Sequence, residues 1–195
     1  MAQIEKLSEK LPESFSHYFF DSNVWIAFLK YNRKNNADRR FTPYIDFFEG
    51  VVQLNEITDP KLQRKVKHIP KIVMTSMLLS EIINTYLRVV AMPSFLNKPN
   101  SDFKKEYRNN IHKQLKILLD DLKSYSFIYE YVKDDFNELN PMELLSDLNR
   151  KVDFNDLYYM KLMEKYQYVI VTDDGDFDSH EITVLTENKN LLSKQ

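Results

Sequence analysis

Asp21, Glu81, Asp156 and the pair Asp174 and Asp176 are scattered through a chain of 195 residues. Each stands where a strand is expected to give way to a helix or turn, or one turn inside a helix. Carboxylates placed in this way converge at one end of a parallel sheet, where open α/β folds bind their ligands. Several carboxylates packed together push at least one pKa upward unless a cation offsets their repulsion. The expected occupant is a hard divalent cation, Mg²⁺ or Mn²⁺, and the chemistry such a site suits is phosphodiester hydrolysis.

Each residue also has a plainer role. Asp21 follows Tyr18-Phe19-Phe20 and precedes Ser22-Asn23, so it is either a strand-end ligand or a helix N-cap; Asn23 could cap while Asp21 binds metal. Glu81 sits on an otherwise apolar helix with Asn84, Thr85 and Arg88 at i+3, i+4 and i+7. That polar stripe faces either solvent or a cleft, and in a cleft Arg88 would contact phosphate or neutralise Glu81. Asp156 lies three residues after Asp153, a pattern that caps a helix and favours its dipole without any catalysis. Its alternative is to point from the first turn towards Asp21. Thr172-Asp173-Asp174-Gly175-Asp176-Phe177 is ordinary turn chemistry as well as a cluster of carboxylates at a strand end. An EF-hand is excluded, because Val184 and Leu185 stand where the loop's last Glu is required.

The elements that would position these residues follow from the hydrophobic pattern. His17 to Phe20 reads as a strand and Val24 to Tyr31 as a helix; Thr42 to Leu54 is helical, and Lys71 to Thr75 is a second strand leading into a helix from Ser76 to Met92 that Pro93 ends. Phe103, Tyr107, Ile111, Leu115, Leu118 and Leu122 recur every three or four residues and mark the core face of a long helix. Phe127 to Val132 is a third strand, and Asn140-Pro141-Met142-Glu143 starts a short helix. A helix over Phe154 to Tyr166, a strand over Tyr168 to Thr172 and a last strand over Ile182 to Leu185 complete the alternation. This predicts an α/β fold with a mostly parallel sheet covered by helices. The length favours one domain, residues 1–195, with insertions near 33–70 and 93–105.

Composition narrows the function. There is no cysteine, which removes disulfides, thiolate zinc sites and thiol nucleophiles and fits a reducing, cytoplasmic setting. Only two glycines, Gly50 and Gly175, exclude glycine-rich dinucleotide and phosphate loops. His17, His68, His112 and His180 lack zinc-site spacing, and no G-x-S-x-G elbow exists. No stretch approaches the roughly 20 apolar residues of a membrane span, so a membrane partner is not expected. A formal net charge of -2 argues against a general nucleic-acid coat protein without excluding a nuclease, because bound cations change the local sign. Arg64, Lys65, Lys67 and His68 form a basic stretch that would either guide RNA to the cleft or lie solvated.

Taken together, Phe19-Phe20-Asp21-Ser22-Asn23-Val24, Ser80-Glu81-Ile82, Asp153-Phe154-Asn155-Asp156-Leu157 and Val169-Ile170-Val171-Thr172-Asp173-Asp174-Gly175-Asp176-Phe177 resemble, in order and spacing, the motifs of PIN-domain nucleases. The resemblance covers residues 17–186 in outline. It implies a three-layer α/β/α sandwich and a Mg²⁺ or Mn²⁺ site formed by Asp21, Glu81, Asp156 and Asp174, with Asp176 as a further metal-site residue. Asn23, Thr172 and Arg88 would orient ligands or touch substrate. The implied activity is endoribonucleolytic cleavage of single-stranded RNA. Many relatives are VapC-like toxins, so the implied partners are RNA, an antitoxin protein and a second copy of the chain; the added residues make this chain longer than the usual toxin. Two other readings compete: a catalytically silent PIN-like module for RNA binding or assembly, and an aspartyl-phosphate phosphatase, whose opening D-x-D is broken by Asn23.

Overall fold

The computed structural model describes residues 1–34, 38–91, 108–147 and 152–194. Its strands are β1 (Gln3–Lys6), β2 (His17–Phe20), β3 (Lys71–Met74), β4 (Tyr129–Tyr131), β5 (Val169–Val171) and β6 (Thr183–Thr186). They form one six-stranded sheet in the order β1-β6-β5-β2-β3-β4, and every pairing is parallel. The helices are α1 (Ser22–Lys34), α2 (Thr42–Asn55), α3 (Pro60–Gln63), α4 (Ser76–Thr85), α5 (Arg108–Ser124), α6 (Pro141–Asp147), α7 (Phe154–Tyr166) and α8 (Lys189–Leu192). The architecture is the expected α/β class, a three-layer α/β/α sandwich.

Alternation along β2 explains how the layers are held. Tyr18 meets Phe47 of α2 at 5.2 Å between ring centroids, and Phe20 meets Phe48 of α2 at 5.2 Å. Phe19 points the other way, onto Tyr159 of α7 at 4.7 Å. Successive side chains of a strand leave opposite faces, so α2 and α7 cover opposite sides of the sheet. Trp25 and Phe28 of α1 close on Phe48 at 5.0 and 3.9 Å, and all three rings are buried. Burying such rings supplies much of the driving force for folding. Helix α7 buries Leu157, Tyr158, Tyr159, Met160, Leu162 and Met163, which surround its axis because it is covered on more than one side.

Chain order places the site. From β2 the chain moves outward through β3 and β4, then crosses back to lay β5 and β6 on the other side of β2. The order therefore reverses between β2 and β5, the crevice where doubly wound sheets bind ligands. Phe20 is registered against Val171, and the ladder runs one step further through Asp21 N–H to the Val171 carbonyl at 3.0 Å. Asp21 and Thr172 thus leave adjacent strands side by side.

Several sequence expectations need correction. No strand is anticipated before His17, yet β1 pairs with β6 at the sheet edge. Its sequence QIEK buries only Ile4, so it carries almost no hydrophobic signal. The third strand is shorter than expected, because Ser126–Ile128 forms a 3₁₀ turn before β4. The helix beginning at Ser76 is α-helical only to Thr85 and continues as a π-helical segment, Tyr86–Ala91. Inside the stretch read as the first insertion, α2 buries Tyr44, Ile45, Phe47, Phe48 and Val51, so it belongs to the core layer. Phe103, Tyr107, Pro93 and the insertion near 93–105 lie outside the described residues; the described part of α5 buries Leu118 and Leu122 as expected. Among the described residues no helix is long and apolar enough to cross a membrane.

Candidate active site

Two carboxylates come from strand ends and two from helix starts, all at the carboxyl end of the sheet. Asp21 directly follows β2 and is 5% exposed. One of its oxygens accepts from the Ser22 backbone N–H; the other accepts from the Asn23 amide at 2.7 Å and from the Thr172 hydroxyl at 2.7 Å. Its carbonyl also accepts the Val24 and Trp25 N–H groups. Asp21 therefore opens α1 and belongs to the cluster at once. Asn23 is not the cap, since its amide turns back onto Asp21 and reaches Thr172 Oγ1 at 3.3 Å.

Glu81, in the second turn of α4, is held between two other elements. It accepts from the Ser22 hydroxyl of α1, from the Tyr159 hydroxyl of α7 at 2.9 Å and from the Asn155 amide at 3.4 Å. Asp156 lies one turn from Tyr159 on the same helix. Asp153 Oδ1 accepts the Asp156 N–H at 3.0 Å and caps α7, which leaves the Asp156 carboxylate outside the capping arrangement. Asp174 follows β5; its N–H donates to Thr172 Oγ1 at 2.9 Å, and its Oδ1 accepts the Asp176 N–H at 3.1 Å.

Electrostatics tie the four together. Burial pushes the Asp21 carboxyl up to about 7, and the charges of Glu81 and Asp174 push in the same direction against hydrogen bonds from Thr172 and Ser22 that lower it. Burial likewise pushes Asp156 up to about 8, followed by the charges of Asp153, Asp21, Asp174 and Glu81. The leading charged neighbours of these two groups among the described residues are carboxylates. Asp176 is raised by burial and by Asp174, while Lys194 pulls it down.

Some expected members fall elsewhere. Asp173 turns away from the cluster: its Oδ2 pairs with Arg40 Nε at 3.1 Å and its Oδ1 accepts from the Tyr44 hydroxyl at 3.1 Å. The turn after β5 is thus divided between two environments. Arg88 is exposed on the π-helical segment, and no hydrogen bond or ion pair among the described residues joins it to Glu81. A π segment advances more residues per turn than an α-helix, so the i+7 spacing no longer stacks Arg88 over Glu81. Arg64, Lys65, Lys67 and His68 lead into the amino end of β3, and β3 runs parallel to β2. The basic stretch therefore enters the sheet at the end away from the carboxylates.

Ser22, Tyr159, Asn155 and Tyr44 were missed as site residues. Tyr159 carried a usable signal, lying three positions after Asp156 and hence on the same helix face. Tyr44 carried none, because its partners are distant in sequence: its hydroxyl touches the Thr172 carbonyl at 3.2 Å and Thr186 Oγ1 at 3.2 Å and accepts the Glu187 N–H at 2.7 Å. Replacing Tyr159 with Phe deletes one charge-assisted hydrogen bond to Glu81. The expected result is a loss of about 1 kcal/mol in chemical denaturation.

The donors suit a hard cation. They are carboxylate oxygens whose leading charged neighbours are other carboxylates, and among the described residues Asn23 Oδ1 is buried beside them without a hydrogen-bond partner. Among the described residues no three acidic or histidine side chains already form one ligand group. Mg²⁺ is commonly held by one or two carboxylates and keeps several waters, so such a group is not required. Comparison with protein-family models, with curated proteins and with solved structures found no match.

Proposed function

We propose that the chain is a divalent-metal-dependent endoribonuclease that hydrolyses phosphodiester bonds in single-stranded RNA. The observation that carries this reading is the convergence of Asp21, Glu81, Asp156 and Asp174 at the β2–β5 crevice, with Asp21 and Asp156 raised towards neutrality by burial first and by neighbouring carboxylate charge second. The resemblance of the four motifs to PIN-domain nucleases supplies the substrate class.

Asp21 and Asp174 would hold Mg²⁺ or Mn²⁺, with Glu81 and Asp156 completing the site directly or through water. A divalent cation bound there supplies a water of lowered pKa and positive charge for the phosphate oxygens. The protein's own part is positioning. Thr172, Asn23 and the Ser22 N–H fix the Asp21 carboxylate, and Ser22, Tyr159 and Asn155 fix Glu81. These bonds hold both carboxylates in orientation before a ligand arrives, which lowers the reorganisation needed at reaction. Asp156 holds its proton to about pH 8 while no cation faces it, so cation binding is coupled to proton release.

The silent RNA-binding or assembly module is the second reading. Incubation with a labelled single-stranded RNA separates the two. The nuclease reading expects cleavage in Mn²⁺, none in excess EDTA, and full activity in Asp178→Asn, because Asp178 is engaged with Lys194 at 2.6 Å. Intact RNA under all divalent conditions would leave the module.

A further inference from the structure

Beside the acidic cluster lies a cleft of about 380 Å³ that the metal chemistry does not use. Ser22 and Asn23 form the wall it shares with the cluster, and Lys30, Arg40, Phe41 and Thr85 are among the residues that line the rest. The volume falls in the range of sites that take one small-molecule unit. Arg40 is the organising residue. Its guanidinium carbon sits 4.7 Å from the Phe41 ring centroid, its Nε is fixed by Asp173, and its side chain remains 62% exposed. Asp38 also borders the cleft, but one of its oxygens accepts the Arg40 N–H at 3.1 Å and caps the turn. A planar cation stacked on an aromatic ring and held at one edge presents its outer face as a platform, and nucleobases stack on such surfaces.

The wiring joins platform to cluster. Asp173 takes Arg40 on one oxygen and Tyr44 on the other, while Tyr44 also contacts the Thr172 carbonyl and the Thr172 hydroxyl holds Asp21. We infer that this cleft receives the unpaired nucleotide next to the phosphate at the cluster, its base stacked on Arg40 and Phe41 and its backbone drawn by Lys30. A base can enter such a cleft only when it is out of a duplex, so the cleft makes the site selective for single strands. The inference rests on the nuclease reading for the identity of the neighbouring phosphate alone.

The test uses the full-length protein in Mn²⁺ and a fluorescent single-stranded RNA dodecamer with hydrolysis-resistant linkages, so that binding is read without cleavage, followed by anisotropy at about 0.1 M salt. Phe41→Ala and Arg40→Ala are each expected to raise Kd about 10-fold, within the range for losing one stacking contact. Arg40→Lys keeps the charge opposite Asp173 and is expected to lose nearly as much, because the planar face is gone. Lys30→Ala should lower the salt dependence by about one phosphate contact. Lys67→Ala, which removes the same charge at the opposite end of the sheet, should stay within about 2-fold. A matched RNA duplex should bind more weakly and respond to none of the cleft variants. Equal losses for Arg40→Ala and Lys67→Ala, full affinity in Arg40→Lys, or no binding of RNA would overturn the inference. Normal binding by the cleft variants alongside active cleavage by the unmodified protein would overturn the cleft and leave the nuclease standing. The expected cleft effects in a protein that cleaves nothing would do the reverse.

Discussion

Asp156→Asn is expected to lower the rate of RNA cleavage by at least about 10³-fold while making the metal-free protein more stable at pH 8. Losses of this size are usual when a charged member of a group that acts as a unit is neutralised. The opposite sign on stability follows from the same geometry. Asp156 is partly buried and acted on by the charges of Asp153, Asp21, Asp174 and Glu81, so its ionised form is costly in the folded state and an amide removes that cost. The substitution should not disturb the helix start, because Asp153 provides the cap through the Asp156 backbone N–H rather than through its side chain. We expect a gain of about 2 kcal/mol at pH 8, measured by urea denaturation with chelator present. Asp178→Asn serves as the control, because an exposed ion pair such as Lys194–Asp178 contributes less than about 1 kcal/mol. A variant that loses activity and stability together would mean that Asp156 is structural.

The second large effect is in the pH dependence of the unmodified protein. Unfolded aspartate ionises near 3.8, whereas Asp21 and Asp156 are raised to about 7 and about 8 in the fold. Between those values the folded state keeps protons that the unfolded state has lost, so stability falls as pH rises. The loss starts above about pH 4 and is complete once pH has passed about 8. His17 acts in the opposite sense: burial lowers its pKa below 6.5, so its contribution is present above 6.5 and is lost as pH falls. The cleanest window is therefore pH 6.5 to 8.5. Across it the metal-free protein should lose about 2 kcal/mol, roughly 4–8 °C in Tm for a domain of this size. Mn²⁺ at about 100 times its Kd should return about 2.7 kcal/mol by mass action. Thermal melts at matched pH with Mn²⁺ and with chelator provide the measurement; a metal-free protein whose Tm rises steadily across the window would refute the upward shifts of Asp21 and Asp156.

The sheet and the site differ in how much of them sequence discloses. β2, β3 and β5 are short runs of bulky side chains that are buried along almost their whole length, and such runs stand out against polar surroundings. β1 does not, because an edge strand with one buried residue has nothing to alternate against. The four carboxylates could be placed at one end of the sheet from their positions at strand ends and helix starts alone, since parallel topology forces those ends together. What sequence could not convey is the division of labour within a motif. Asp173 and Asp174 are adjacent in sequence, yet one pairs with Arg40 and the other joins the cluster, an outcome decided by α2 and the turn before it. Asn23, open in sequence to capping or to orienting a ligand, binds Asp21. Arg88 looked stacked on Glu81 until the π-helical turns displaced it. The first depends on partners far away in the chain, Arg40 and Tyr44, and the other two on local backbone geometry that periodicity does not carry.

The claim beneath all of this is that separate acidic side chains make one cation site. Calorimetric titration of Mn²⁺ into metal-stripped protein at pH 7, repeated in two buffers of different ionisation enthalpy, addresses it directly. Saturable binding with net proton release is expected, abolished by Asp21→Asn and by Asp156→Asn and unchanged in Asp178→Asn. Weak, unsaturable heats that are the same in all four proteins would contradict it.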